Sequence, residues 1–280
     1  MIRKVFILTQ FGSPHSWTKE YINNVQHLGK YGWDWIIFTP NDLKSKGNVQ
    51  VVNMDIDEFN ALVEAKLGTG SNLAMSPLGI PDVHMTDYCV AWGAIFEEYI
   101  RGYDYWGIPN WDIVYGRLDK FIPDSELEQY DVWTDDVNII NGIFCLFRNV
   151  PEINFLFTEI ENWRGKIGKL KCPRCITGHG DHKLFGTDEY DMTQVMRKPE
   201  ILEKIKYGHP EHYPIHSHDR LENHVPYVKL RIEKDHSLWE LYEDIGHPDW
   251  EHAHPMLGRE IPYFHFIRTK EWPECLRLHL

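Results

Sequence analysis

Two oxygen-bearing side chains, Asn110 and Asp112, stand two residues apart between an aromatic segment and the apolar run Ile113–Tyr115. Residues two apart on an extended backbone point to the same side, so both oxygens can face one space. Carboxylate and carboxamide oxygens suit hard divalent cations such as Mg²⁺ or Mn²⁺. The spacing predicts a Mg²⁺ or Mn²⁺ site, against the simpler alternative of a buried strand with one capping aspartate.

A second acidic pair, Asp188 and Glu189, opens a helix predicted over 189–197. Thr187 or Asp188 fits an ordinary N-cap, with Glu189 in the first turn. The alternative role is chemical, because a carboxylate can accept the proton of a hydroxyl group or stabilise an oxocarbenium-like centre. We predict Asp188, then Glu189, as catalytic groups, with both roles, and so inversion and retention of stereochemistry, left open.

A third cluster combines two thiols at Cys-x-x-Cys spacing, Cys172 and Cys175, with two imidazoles, His179 and His182. Such a set can close a tetrahedral structural Zn²⁺ site. The alternative is a loop without a metal. A redox pair is disfavoured because no thioredoxin-like strand and helix frame the cysteines.

Several short motifs follow one another from Val5 to Asn149. They are Phe11-Gly12-Ser13-Pro14 with Trp17, Thr39, Asp87-Tyr88 to Trp92-Gly93 with Phe96, Tyr103 to Gly107, Asp112 to Gly116, Tyr130-Asp131-Val132, Ile140-Asn141-Gly142 and Phe147-Arg148-Asn149. Their order resembles that of little-characterised microbial and viral glycosyltransferase-like proteins of the GT-A fold. The resemblance implies a nucleotide-sugar donor and an Asp-x-Asp-type metal site, in which this chain carries Asn110 where the family usually has an acid.

The resemblance continues near the carboxyl terminus, where His265-Phe266 opens a segment similar to the closing segment of several retaining GT-A enzymes. It implies that His265 completes the metal shell, and that Lys270, or Arg268 in its place, holds the departing diphosphate. It also implies that Asp87 approaches the nucleotide, although an ordinary N-cap role for Asp87 remains open.

Further donor contacts are expected where strands end. Thr9 and Phe11 lie at the carboxyl end of the first predicted strand, where open α/β sheets bind ligands, so they are candidates for contact with the base. Asn141 and Gly142 begin a later strand and are candidates for contact with hydroxyls of the donor sugar.

The predicted elements alternate between strand and helix. Strands are expected at 5–9, 33–39, 51–54, 131–133 and 139–147, and helices at 16–28 (with Ser16 as the cap), 56–67, 87–101, 125–130 and 154–163. This pattern predicts an α/β protein with a GT-A (Rossmann-like), mixed, mostly parallel sheet flanked by helices. We expect a nucleotide-sugar-binding core over residues 1–165 and an irregular, His-rich acceptor-side elaboration over 166–280.

Composition narrows the partners. A formal net charge of −13 disfavours nucleic acid and anionic membranes, although a local basic groove would still permit a nucleic-acid acceptor. No segment reaches transmembrane length, and five cysteines without disulfide-rich spacing suit a reducing cytoplasm.

The sequence therefore predicts a metal-dependent glycosyltransferase that uses Mn²⁺ or Mg²⁺ and a UDP- or GDP-linked sugar, and that acts on a hydroxyl of a carbohydrate or other acceptor. Two alternatives stay open. One is a non-catalytic carbohydrate-binding or scaffolding protein of the GT-A fold, which Asn110 favours. The other is a glycosyltransferase that acts on nucleic-acid bases.

Overall fold

A mixed seven-stranded sheet forms the centre of the protein. The computed structural model describes residues 1–69, 86–135, 140, 144–167, 191–209, 216–218, 228–242, 259–261 and 263–265. The sheet strands are β1 (Lys4–Thr9), β2 (Trp33–Thr39), β3 (Val49–Asn53), β4 (Tyr105–Pro109), β6 (Val132–Thr134), β7 (Phe144–Arg148) and β8 (Tyr207–Gly208), in the order β3-β2-β1-β4-β7-β6-β8. Only β7 runs antiparallel to its neighbours. The predicted mixed, mostly parallel sheet flanked by helices is confirmed.

Both faces of this sheet are covered, as continuous apolar strands predict. Val5 and Ile7 of β1 belong to one hydrophobic cluster, whereas Phe6 and Leu8 belong to a second cluster on the other face. Because side chains alternate along a strand, β1 contributes to both cores. The strands predicted at 5–9 and 33–39 are confirmed, with Lys4 added to the first.

Two small sheets accompany the large one. The first has the order β5 (Ile113–Tyr115), β13 (Tyr263–His265) and β9 (His216–His218), and the second joins β10 (Val228–Ile232), β11 (Leu238–Tyr242) and β12 (Arg259–Ile261). The chain therefore leaves the large sheet at Pro109 and, after three intervening residues, enters a small sheet at Ile113.

Helical segments are short, apart from α1 (Thr18–Val25) and α2 (Ile56–Leu67). The others are α3 (Thr86–Cys89), α4 (Trp92–Ile95), α5 (Leu118–Phe121), α6 (Asp124–Leu127), α7 (Pro151–Asn154), α8 (Trp163–Lys166), α9 (Met192–Met196) and α10 (Pro199–Leu202), with 3₁₀ turns at Gln26–Tyr31 and Leu156–Glu159. The bounds predicted for α2 are confirmed. Its start carries a capping box, in which Asp55 and Glu58 bond to each other's backbone amides.

Four predicted helices were wrong in extent, and the one expected over 125–130 spans only Asp124–Leu127. The helix expected over 16–28 starts at Thr18 with Trp17 as a cap that makes no side-chain bond, so Ser16 is not its cap. The helix expected over 87–101 is two single turns, and the one expected over 154–163 is also broken. Residues 88–96 are buried on every side, so this segment crosses the core and is not an amphipathic surface helix.

In the part of the chain that the structure describes, no helix has both the length and the apolar character needed to cross a bilayer.

Candidate functional site

The carboxyl ends of the parallel strands form one edge of the large sheet, and the predicted site lies along it. β1 and β4 are neighbours there, although β2 and β3 extend from β1 in the opposite direction. In open α/β sheets ligands bind in the crevice where the strand order reverses in this way. Thr9 ends β1 and Asn110 directly follows β4, so both residues lie beside that crevice.

Trp111 joins the turn between β4 and β5 to the end of β1. Its indole N–H donates to the Thr9 carbonyl at 3.3 Å, while its own carbonyl accepts from the Trp17 indole N–H at 2.7 Å. The exposed His15 ring stacks on Trp17 with 4.7 Å between ring centroids. These two bonds from indole N–H groups to main-chain carbonyls fix the turn that carries Asn110 and Asp112 against the neighbouring strand.

Asp112 is buried, with 8% of its surface exposed, and Asn110 is half-buried. The phenols of Tyr21 and Tyr115 lie close enough to the Asp112 carboxylate for its charge to affect their pKa values. Burial is the main cause that raises the pKa of Tyr21, and the charge of Asp112 raises it further. The same two causes, together with Tyr21, raise the pKa of Tyr115. Asp112 therefore places a carboxylate in a low-dielectric setting, where an added cation would be strongly attracted.

Strand β5 is clamped on its other side by Asn24 of α1. The Asn24 amide donates to the Tyr115 carbonyl at 3.0 Å and accepts from the Tyr115 N–H at 2.7 Å. The carboxamide thus supplies Tyr115 with the one donor and one acceptor that a neighbouring strand would otherwise supply. The apolar run after Asp112 is thus fixed from both sides, because β13 pairs with it as well.

The β5–β13 pairing brings the carboxyl-terminal segment to the predicted metal turn. In the antiparallel register His265 lies opposite Ile113, the residue next to Asp112. Directly opposed residues of an antiparallel pair are about 5 Å apart at Cα. The backbones of Ile113 and His265, 152 positions apart in the chain, are therefore neighbours in space, and Asp112 is the residue next to Ile113.

The turn between β4 and β5 offers two groups that suit a divalent cation. Asp112 and Asn110 supply a buried carboxylate and a carboxamide, both of which are oxygen donors that Mg²⁺ and Mn²⁺ accept. Among the described residues, no three or more His, Cys, Asp or Glu side chains converge on a point that could hold a metal. Trp111 and Asp112 lie in a turn, so the alternation expected of an extended backbone does not apply to Asn110 and Asp112. The fit thus rests on the chemistry of these two oxygen donors, with the backbone of His265 nearby.

The two candidates at the end of β1 differ in their surroundings. Thr9 is half-buried, and its carbonyl is occupied by Trp111. The Phe11 ring is buried in the core against Phe59, with 5.3 Å between the ring centroids, so it packs in the core. Asp87 lies in the first turn of α3, at residues 86–89.

The remaining predicted site residues lie outside the described part of the chain and stay predictions. They are Asp188, Glu189, Asn141, Gly142, Arg268, Lys270, Cys172, Cys175, His179 and His182.

Two polar residues at the same edge were missed in the sequence. Asp135 directly follows β6, is 3% exposed and accepts a hydrogen bond from the Tyr263 hydroxyl. Gln10 directly follows β1 and is 6% exposed. Both stand where a buried strand ends at the carboxyl edge of a parallel sheet, and that position alone marks a polar residue as a candidate.

Comparison with protein families gives one assignment. The chain belongs to the family of unknown function DUF6625, whose profile matches residues 6–273. No curated protein matches it, and no solved structure matches it.

Proposed function

We propose that the protein is a metal-dependent glycosyltransferase of the GT-A type, which transfers a sugar from a UDP- or GDP-linked donor to an acceptor hydroxyl. The observation that carries this proposal is the β5–β13 pairing. In this pairing the backbone of His265 lies opposite Ile113, the residue after Asp112, and that register supports the ligand set which the resemblance to GT-A enzymes implies. The reversal of strand order at β1 and β4 supports a ligand crevice at the same place.

In this proposal Asp112 and Asn110 hold the cation, with His265 as the third ligand. A bound Mn²⁺ or Mg²⁺ would neutralise charge on the diphosphate of the donor. Arg268 or Lys270 would add a cationic side chain to the departing diphosphate. Asp188 or Glu189 would orient or deprotonate the acceptor hydroxyl. The buried setting of Asp112 favours this work, because electrostatic attraction is stronger where water is excluded.

Calorimetry with UDP and GDP, each with and without Mn²⁺, tests the proposal. We expect one nucleoside diphosphate to bind and its affinity to fall at least tenfold when Mn²⁺ is replaced by a chelator. A nucleotide-release screen over sugar donors then identifies the donor. Absence of nucleotide binding under both conditions contradicts the proposal.

A second candidate is a non-catalytic carbohydrate-binding protein with the same fold. Asn110 favours it, because a neutral ligand attracts a cation less than the acid expected there. A protein of this kind would bind glycans without any requirement for Mn²⁺ or nucleotide. The same calorimetry, extended to an oligosaccharide panel without nucleotide, separates the two candidates.

A further inference from the structure

Gln10 has a buried side chain whose carboxamide forms no hydrogen bond. It is 6% exposed, and neither its Oε1 nor its Nε2 has a partner in the described structure. Buried polar groups are nearly always paired, because an unpaired one costs folding free energy. A glutamine kept in this state at the carboxyl edge of the sheet calls for a ligand that supplies the missing partners.

The backbone of Gln10 is fixed, so its side chain cannot reach water by a small shift of the main chain. Its N–H donates to the Phe38 carbonyl at 2.9 Å. Its carbonyl accepts from the Thr39 hydroxyl at 2.7 Å and from the Asn41 amide at 3.4 Å. Asn41 also donates to the Gly12 carbonyl at 2.8 Å, which holds the loop after β1 in place.

The ladder to β2 continues through Gln10, so the alternation of β1 places its side chain on the same face as Phe6 and Leu8. That face carries the cluster that includes Trp17, with Trp111 packed against it. Aromatic groups therefore lie on the side of the sheet where the unpaired amide lies. The exposed ring of His15 already stacks on Trp17 in a parallel arrangement, with 7° between the ring planes.

A carboxamide offers one donor and one acceptor side by side in a plane. The matching ligand group is a flat ring edge with one acceptor next to one donor, such as the lactam edge of uracil or guanine, and such a ring also stacks on aromatic side chains. We infer that Gln10 reads the hydrogen-bonding edge of the donor's nucleobase and sets the base preference of the enzyme. This inference rests on the proposed function and extends it to a specificity residue.

The test uses Gln10→Met, which keeps the length of the side chain and removes both polar atoms. Without nucleotide, this variant should melt at the same or a higher temperature than the wild type, because no unpaired amide is buried. A glutamine with a purely structural role would instead give a lower melting temperature. Gln50→Met, at an exposed position of β3, is the matched control.

Binding of UDP, GDP, CDP and ADP is then measured by calorimetry in Mn²⁺, together with inorganic pyrophosphate as a probe without a base. We expect the wild type to prefer one base. Gln10→Met should lower the affinity for the preferred nucleotide at least tenfold, so that the four nucleotides bind about equally well. The affinity for pyrophosphate should not change. In Gln10→Asn the amide is retracted by one methylene, so its affinity for the preferred nucleotide should lie between those of the wild type and of Gln10→Met. This variant replaces Gln10→Met in the test if the latter fails to fold.

The outcomes separate this inference from the proposed function. If the wild type binds none of the four nucleotides, the proposed function fails and the inference fails with it. If the wild type discriminates among bases and Gln10→Met keeps the same order and affinities, only the inference is overturned. Equal weakening of all nucleotides and pyrophosphate would assign Gln10 to the diphosphate and also overturn it.

Discussion

The hydroxyl of Tyr263 donates a hydrogen bond to the carboxylate of Asp135, across 128 positions of the chain. Asp135 directly follows β6 of the large sheet, whereas Tyr263 begins β13 of a small sheet. Both side chains are buried. This bond joins the large sheet to the strand that carries His265, two residues further along. It therefore contributes to placing the carboxyl-terminal segment beside the Asn110–Asp112 turn.

Removal of this hydroxyl should loosen that connection. We expect Tyr263→Phe to lower the free energy of unfolding by about 1–3 kcal/mol, because a buried carboxylate loses one donor. The ring would keep its stacking on Phe144, so the fold should survive. Urea unfolding measures the change, and Tyr99→Phe at a partly exposed ring is the control. An unchanged unfolding midpoint would show that the bond contributes nothing to docking β13.

Much of the large sheet could be predicted because its strands carry their signal locally. β1 and β2 are short runs of apolar residues between turn residues, and burial on both faces requires that pattern. The helix over 87–101 could not be predicted correctly, since its apolar residues suit a helix and its burial on all sides depends on the tertiary fold. Gly93 shows the reason: an added Cβ there would lie 2.6 Å from the Trp106 ring, a contact that no local pattern reveals.

Asp112→Ala should abolish metal-assisted nucleotide binding and transfer while the fold is kept. Asp112 is the buried carboxylate of the turn, so its removal takes away the strongest attraction for a cation. We expect a loss of at least a hundredfold in the affinity for nucleotide in Mn²⁺, measured by calorimetry, with an unchanged far-ultraviolet circular dichroism spectrum. Asp57→Ala, at an exposed position of α2, is the matched control. Turnover near the wild-type rate would show that the metal site is elsewhere.

Asn110→Asp provides the converse test. Asn110 is half-buried on the same turn, and the substitution replaces a neutral oxygen ligand with a charged one. We expect Mn²⁺ to bind several times more tightly, as followed by calorimetry with the metal alone. Asn53→Asp, at the exposed last position of β3, controls for the change in net charge. Weaker Mn²⁺ binding in the Asn110 variant would mean that its amide N–H groups make a contact which the acid cannot.

The two halves of the candidate site differ in how far the sequence could predict them. The spacing of Asn110 and Asp112 is local, and it suffices to propose a pair of ligands. The proximity of His265 to Ile113 depends on a strand pairing over more than 150 residues, which came only through the resemblance to a known family. Gln10 and Asp135 carry no motif, since their significance lies in burial and in their partners.

His27 should make stability depend on acid pH. Its ring lies 2.6 Å from the Asn24 carbonyl and 3.0 Å from the Gly116 carbonyl, and it stacks on His236 at 4.4 Å. Burial lowers the pKa of His27 to about 4, against the opposing effect of the two carbonyls, and nearby Lys30 and His236 lower it further. Burial likewise lowers the pKa of His236.

The unfolded chain binds a proton at His27 near pH 6.5 and the folded chain only near pH 4, so protonation favours unfolding between these values. Stability should be complete above pH 6.5 and fall by up to roughly 3 kcal/mol as the pH approaches 4. Urea unfolding at pH 7 and pH 4.5 measures the loss, which His27→Gln should reduce and His209→Gln should leave in place. An equal loss in the His27 variant would assign the pH dependence to other groups.

The last prediction concerns the identity of the metal. His265 is placed beside the turn by backbone pairing, and the proposal makes its imidazole the third ligand. Mg²⁺ strongly prefers oxygen ligands, whereas Mn²⁺ accepts a nitrogen more readily. The wild type should therefore be more active with Mn²⁺ than with Mg²⁺.

In His265→Ala the nucleotide affinity in Mn²⁺ should fall about tenfold or more, and the ratio of Mn²⁺-supported to Mg²⁺-supported activity should approach one. His216→Ala, on the strand at the far side of β13, is the control because it pairs opposite Tyr263 and away from the turn. If His265→Ala keeps the wild-type preference for Mn²⁺, the imidazole is not a ligand, and the nearness of β13 to Asp112 serves only to close the site.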